Sequence, residues 1–235
     1  DSRASLPLLI IPAHNEARNI GRVLSDVRAT GLSLDVLVVD DYSSDDTAQV
    51  AKSQGARVLR LPNNLGYGGA VQAGFRYATR HGYGSVVMMD ADGQHDASCI
   101  AVLLRPVQKG EADVVLGSRF LGRMEYETTF AKRAGMAIFS RLVTSLTGTA
   151  ITDPTSGFQA LNSDAIAFFA TDNYPVDFPD ADTILLLHYA GFRVREVPVV
   201  MRERLSGVML IEREGQAFSE LIHVIVPVRH VWPDR

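Results

Sequence analysis

Val36-Leu37-Val38-Val39-Asp40-Asp41 leads through Tyr42-Ser43-Ser44-Asp45-Asp46-Thr47-Ala48 and a polar-apolar stretch to Gly55, and then into Val58-Leu59-Arg60-Leu61. A continuous β-branched run of strand length, rather than an alternating one, fits a strand covered on both faces, as in a parallel sheet. Asp46 to Gln54 has the length and mixed pattern of a crossover helix, with Asp45 or Asp46 as the expected N-cap and Gly55 as its end. The unit therefore reads strand, helix, strand.

The same unit recurs on both sides. Leu8 to Ile11, Val86 to Met89 and Val114 to Leu116 are further apolar runs, and Arg193 to Val200 reads as a late strand. Ala17 to Thr30, Gly69 to His81 and Ile100 to Lys109 are helix-like, with Gly82 closing the second of these. Further on, Phe130 to Leu146 and Thr183 to Ala190 have helical character, and Gly191 is the expected stop of the latter. Repeated units of this kind predict an α/β fold with one doubly wound, mostly parallel sheet flanked by helices. Ligands of such sheets bind beyond the carboxyl ends of the strands. Those ends carry Pro12-Ala13-His14-Asn15-Glu16, Asp40-Asp41 and Asp90-Ala91-Asp92, so acidic groups collect at one edge.

Composition narrows the function classes. The 235 residues are 46% hydrophobic and 21% charged, which excludes a largely disordered, fibrous or disulfide-stapled chain. A net charge of -4 supplies no general attraction to nucleic acid, and no nucleic-acid partner is expected. The single cysteine, Cys99, cannot pair within the chain and suits a reducing compartment. No run reaches the roughly 18 apolar residues of a spanning helix, and residues 1 to 5 carry no signal-peptide stretch.

Asp90-Ala91-Asp92 places two carboxylates at i and i+2 directly after an apolar strand. They can converge on one hard cation and leave its other positions to phosphate oxygens. A solvated acidic turn is the alternative. An EF-hand is excluded, because position twelve of that loop would be Ala101 instead of Glu. Asn64-Leu65-Gly66-Tyr67-Gly68-Gly69-Ala70 fails as a dinucleotide fingerprint, since Val71 occupies its last glycine position. Arg119, Arg133, Arg202 and Arg204 are either a local anion pocket or surface charges paired with Glu203 or Glu212.

Each signal is weak alone, yet their order is specific. The series Pro12 to Glu16, Val38 to Thr47, Asn64-Leu65-Gly66 and Met89 to His95 resembles glycosyltransferase family 2, and within it the dolichyl-phosphate mannosyltransferases and bacterial polyprenyl-phosphate glycosyltransferases. The resemblance spans nearly all of residues 6 to 205 and implies a GT-A fold. It implies one domain over 1 to 205, with a nucleotide-sugar half at about 6 to 118 and an acceptor half at about 119 to 205. The tail, 206 to 235, is then a docking or membrane-surface element.

Residue by residue, the resemblance assigns Pro12, Ala13, Glu16 and Asp41, with Asp90 and Ala91, to the nucleotide. It assigns Asp90, Asp92 and Gln94 to Mg²⁺ or Mn²⁺, and Arg119, Arg133 and Arg202 or Arg204 to donor or acceptor phosphates. Ser156 and Gly157 lie beside the sugar, with Asp153 just before them as a further candidate for catalysis. Asp180 and Asp182 match the acidic pair that supplies a base where the acceptor is a hydroxyl. His14 stands where an aromatic residue is common in the family. The implied activity is inverting, metal-dependent transfer of a hexose from a GDP- or UDP-linked donor to a polyprenyl or dolichyl phosphate. Transfer to a saccharide hydroxyl, or nucleotide-sugar binding without turnover, are the alternatives. The implied setting is the cytoplasm, with the protein peripheral at the inner face of the membrane.

Overall fold

Leu8–Ala13 forms β1 and is buried at every position, as the apolar run requires. In the computed structural model, which describes residues 5–124, 140, 141, 143–171, 174 and 181–203, it is an interior strand, third of seven in one sheet. The chain continues through α1 (Ile20–Ala29), β2 (Asp35–Asp40), α2 (Thr47–Ser53), β3 (Arg57–Arg60), α3 (Gly66–Arg80) and β4 (Ser85–Met88). Then follow α4 (Ile100–Gln108), β5 (Val114–Met124), β6 (Gln159–Asn162), α5 (Ser163–Phe169), α6 (Ala181–Tyr189) and β7 (Val194–Met201). The sheet order is β3-β2-β1-β4-β6-β5-β7. Strands β1, β2, β3 and β4 run parallel, as do β5 and β7, whereas β6 is antiparallel to both β4 and β5.

The two-sided burial follows from alternation along each strand. Leu8 and Ile10 of β1 join Leu37, Val39 and Phe75 in one core, beneath α3, α5 and α6. Leu9 and Ile11 join Val38, Ile20 and Leu103 in the other, beneath α1, α2 and α4. Both faces of β1 are thus covered, and a one-residue slip would exchange apolar for apolar. Register here comes from the ladder and the loops rather than from a polar face.

Helix α3 approaches β1 unusually closely at Gly74. A Cβ there would lie 2.7 Å from Ile10 Cγ2 and 3.0 Å from its Cδ1. Gly74→Ala is therefore expected to destabilise the chain by about 1–3 kcal/mol through overpacking, read as a lower urea midpoint at unchanged slope.

At the far edge, the first residues of β5 and β7 are held by Asp113 and Arg193, with Arg193 Nη2 2.8 Å from Asp113 Oδ1. Arg193 Nε and backbone N also donate to Asp113 Oδ2. The Arg193 side chain holds the Asp113 carboxyl below its ordinary value of 3.8. A depressed carboxyl stabilises above its unfolded pKa, and that contribution disappears as pH falls through the folded value. The stability difference between the natural chain and Arg193→Ala is expected to be present at neutral pH and to vanish as pH falls below that of an ordinary carboxyl. Paired denaturant titrations at the two pH values check this.

The structure differs from the sequence expectation in two strands. β5 extends to Met124, past the expected end at Leu116, because Gly122 lets its backbone lie against β7: a Cβ at Gly122 would be 2.0 Å from the Val199 carbonyl oxygen. β6 was not expected at all. The helix expected over Phe130 to Leu146 lies largely outside the described residues, with residues 143–147 helical.

Candidate functional site

The strand order makes β1 and β4 neighbours while β2 and β3 continue the other way, so a crevice opens beyond the carboxyl ends of β1 and β4. Three loops meet there. The first two interlock through two residues with left-handed backbone, Asn15 (φ 55°) after β1 and Tyr42 (φ 58°) after β2. Asn15 N donates to Ser43 Oγ at 2.9 Å, and Ser44 N donates to Asn15 Oδ1 at 2.8 Å. The His14 ring sits 2.7 Å from the Asp41 carbonyl through Nδ1 and 2.9 Å from Asn15 Nδ2 through Nε2. The consistent tautomer donates from Nδ1 to the carbonyl and accepts at Nε2. Glu16 N donates to Thr47 Oγ1 at 2.8 Å, and Glu16 Oε2 accepts from Asn19 Nδ2 at 2.6 Å. The carboxylate of Asp45 accepts from Ala17 N and Thr47 N, so of the two expected caps it is Asp45 that serves the start of α2.

Asp41 is buried, and its Oδ1 accepts from Leu65 N at 2.7 Å. Its neighbour Asp40 is fully buried: Oδ1 accepts from Ser43 N at 3.1 Å, and Oδ2 lies 3.3 Å from Arg60 Nε. Pro12 and Ala13 line the floor between these loops and are buried.

The third loop follows β4. Asp90 remains one-third exposed at its side chain and Asp92 is half-buried. Asp90 Oδ1 accepts from the Tyr67 hydroxyl at 3.0 Å. Asp90 N donates to His95 Nδ1 at 3.1 Å, which leaves the ring proton on Nε2, 3.7 Å from Asp90 Oδ2. Burial pushes the His95 imidazole down to about 4, so it is neutral at pH 7, and it stacks on Phe158 at 4.6 Å. Asp92 Oδ1 accepts from Gln94 N at 2.9 Å, which curls the loop. The far end of the loop is fastened to β7: His95 bridges Met201, and Arg202 N donates to the Gln94 carbonyl at 2.8 Å.

Gly157 completes the wall opposite. A Cβ there would lie 2.9 Å from the Tyr67 hydroxyl and 3.4 Å from Asp90 Oδ2, so glycine leaves the Tyr67 hydroxyl room beside the carboxylate. Two carboxylates on a curled loop, with backbone this close, fit a hard divalent cation. Among the described residues, no group of three His, Cys, Asp or Glu able to hold a metal is present.

A family model described as glycosyl transferase family 2 matches residues 8–169, from the start of β1 to the end of α5. The chain belongs to glycosyltransferase family 2. This transferase is 35% identical over 212 residues to an undecaprenyl-phosphate mannosyltransferase of Micrococcus luteus, a match covering 85% of each chain. It is 32% identical to a polyprenol monophosphomannose synthase of Mycolicibacterium smegmatis, over 86% of this chain and 79% of the relative. Among solved structures it resembles glucosyl-3-phosphoglycerate synthase of Mycobacterium tuberculosis in complex with Mn²⁺ and UDP-glucose. That likeness has a TM-score of 0.72 at 19% identity, covers 97% of this chain and 80% of the other, and identifies the GT-A fold.

The structure brings Pro12, Ala13, Glu16, Asp41, Asp90, Ala91, Asp92, Gln94, Ser156 and Gly157 of the transferase to this crevice or its walls. Three expected residues are placed otherwise. Asp153, expected among the catalytic carboxylates, is fully buried and engaged by Arg119. Arg119 Nε and Nη2 donate to its two oxygens at 2.6 Å each, and Arg119 N donates at 2.9 Å. In this arrangement Asp153 is the anchor of the Arg119 side chain. Arg119, expected to meet phosphate, also donates to Thr155 Oγ1 at 2.7 Å. Arg202, also expected to meet phosphate, is paired with two carboxylates, Asp26 at 3.2 Å and Asp96 at 2.9 Å. Arg133, Arg204, Asp180, the side chain of Asp182 and the tail from 206 lie outside the described residues.

Two contributors of the transferase were given no role from sequence. Tyr67 lies in the glycine-rich segment that fails as a dinucleotide fingerprint. His95 closed the Asp90 motif but showed no metal-ligand spacing. The available signal was position: His95 ends the last motif of the four-part series, and Tyr67 directly follows the third.

Proposed function

We propose that this chain transfers a hexose from a nucleoside diphosphate sugar to a polyprenyl phosphate, using Mg²⁺ or Mn²⁺ at Asp90 and Asp92. The observation that carries this reading is the meeting, at one switch-point crevice, of the Asp90–Asp92 loop with the Glu16 and Asp41 loops. It is supported by the relatives' names, which specify undecaprenyl phosphate and polyprenol acceptors, and by solved structures of the same fold that hold Mn²⁺ or Mg²⁺ with UDP.

In the transfer, an acceptor phosphate oxygen attacks the anomeric carbon. The bond from that carbon to the diphosphate breaks on the opposite side, so configuration inverts and the nucleoside diphosphate leaves with the bonding electrons. A bound divalent ion supplies charge neutralisation for that leaving group. Asp90 and Asp92 would hold the ion. Glu16 and Asp41 would hold the nucleoside, with Asp41 fixed by Leu65 N. Gly157 keeps the sugar side of Asp90 open. A phosphate acceptor is already anionic and requires no base, which accords with Asp153 being held by Arg119.

The donor half over 6 to 118 contains all these carboxylates, and the acceptor is assigned to the half from 119 to 205. Among the described residues no helix is long and apolar enough to cross a membrane. The lipid acceptor would bring the chain to a membrane surface on the cytoplasmic side. The test is transfer from UDP- and GDP-hexoses with Mn²⁺, offering polyprenyl phosphate and soluble saccharides in parallel. Chelator-sensitive product on polyprenyl phosphate is expected. Product on saccharides alone would overturn the acceptor and point to the hydroxyl mechanism with Asp180 or Asp182 as base.

A further inference from the structure

Among the residues around Asp90, Tyr67 is the one whose contact has no structural necessity. It is the second residue of α3, its ring is two-fifths exposed, and its hydroxyl reaches 3.0 Å to Asp90 Oδ1. A carboxylate only accepts, so the hydroxyl donates. Its position is set from two directions. Below it, Leu65 N donates to Asp41 Oδ1 at 2.7 Å and Gly66 N donates to Asn64 Oδ1 at 3.1 Å, which fixes the turn into the helix. Gly66, with φ 77°, makes that turn. Opposite, the Gly157 backbone leaves a slot in which a Cβ would meet the hydroxyl at 2.9 Å. On the other side of the carboxylate stands His95 Nε2, 3.7 Å from Oδ2.

We infer that Tyr67 is a positioning residue for the metal-binding carboxylate of Asp90: its hydroxyl occupies Oδ1 and thereby fixes which lone pairs Asp90 offers to the cation. The inference rests on the reading that Asp90 holds Mg²⁺ or Mn²⁺. The physical reason is orientation. A carboxylate on an exposed loop rotates about its terminal torsion, which has broad wells, and a donor on one oxygen removes that freedom before the ion arrives. Partners of this kind, outside the ligands themselves, typically change metal affinity by 10- to 100-fold when lost. The same residues place Tyr67 three positions from Asn64 and two from Leu65, so the segment touching Asp41 also touches Asp90.

The experiment measures Mn²⁺ binding directly, by the loss of the free-ion paramagnetic resonance signal, in the presence of UDP and separately of GDP. Tyr67→Phe keeps the ring and removes only the hydroxyl. Its Mn²⁺ dissociation constant is expected to rise about 10-fold, with the melting temperature unchanged. Gly157→Ala, whose methyl displaces the hydroxyl, is expected to weaken Mn²⁺ comparably on its own and to add little in the Tyr67→Phe background. An unchanged dissociation constant in Tyr67→Phe overturns the inference, as do additive losses in the double variant. If the natural chain itself fails to bind Mn²⁺ with either nucleotide, the metal reading falls and this inference with it. Binding that is equal in the natural chain and Tyr67→Phe removes the inference alone.

Discussion

Asp92→Asn is expected to lower hexose transfer on the order of 10³-fold while the folded chain persists. The substitution is chosen for what it retains. Asn keeps an oxygen where Asp92 Oδ1 accepts from Gln94 N at 2.9 Å, so the curl of the loop survives. It removes the negative charge, and on the proposed mechanism that charge is half of what the chain offers to the cation. The second carboxylate, Asp90, is held by Tyr67 and flanked by His95, and no group of three candidate ligands forms at this place among the described residues. Turnover of the purified chain with saturating Mn²⁺ and donor checks this, with circular dichroism as the control for folding. Activity within a few-fold of the natural chain would remove Asp92 from the metal site.

Arg119→Ala is expected to destabilise the fold by about 3–5 kcal/mol, because it leaves a buried carboxylate without its cation. For a chain of this length that corresponds to roughly 10 °C or more in melting temperature. The size follows from depth: Asp153 is fully buried, and the Arg119 side chain supplies two of its hydrogen bonds along with the cation, while the bond from Arg119 N survives the substitution. The network continues, since Asp153 N donates to Glu196 Oε1 at 2.7 Å and Glu196 Oε2 accepts from Thr152 N and Oγ1 at 2.8 Å each. It ties β5, the segment before β6 and β7 together. Replacing both members by apolar residues, Arg119→Met with Asp153→Leu, is expected to cost less than the sum of the single substitutions. Thermal melts of the three variants decide the matter.

How much of this was legible in the sequence depends on how far each signal reaches. β1, β2 and β4 are continuous apolar runs, and such runs announce themselves without reference to the rest of the chain. Gly55, Gly82 and Gly191 mark helix ends with φ of 80°, 72° and 83°, a local conformational demand that only glycine meets cheaply. β6 is different. Gln159-Ala160-Leu161-Asn162 is short and ends in amides, and it becomes a strand only because β4 and β5 supply partners on both sides.

The site divides the same way. Asp41, Asp90 and Asp92 follow strands directly, so the fold rule places them at the crevice. The arginines could not be placed by any local rule: Arg202 meets Asp26 across 176 positions of sequence, and a guanidinium takes whichever carboxylate the fold presents. Tyr67 and Asp90 are 23 apart, and their contact exists only once α3 packs on β1.

The fastening of the Asp90 loop to β7 bears on the order in which the protein is made. His95 and Gln94 are secured by Met201 and Arg202, about a hundred residues downstream. During synthesis the carboxylates therefore emerge long before the strand that sets their loop. A nascent chain with residues up to 193 in the open would have its acidic edge assembled yet unfastened. On the proposed reading, the grip on a nucleotide would mature only as β7 leaves the ribosome.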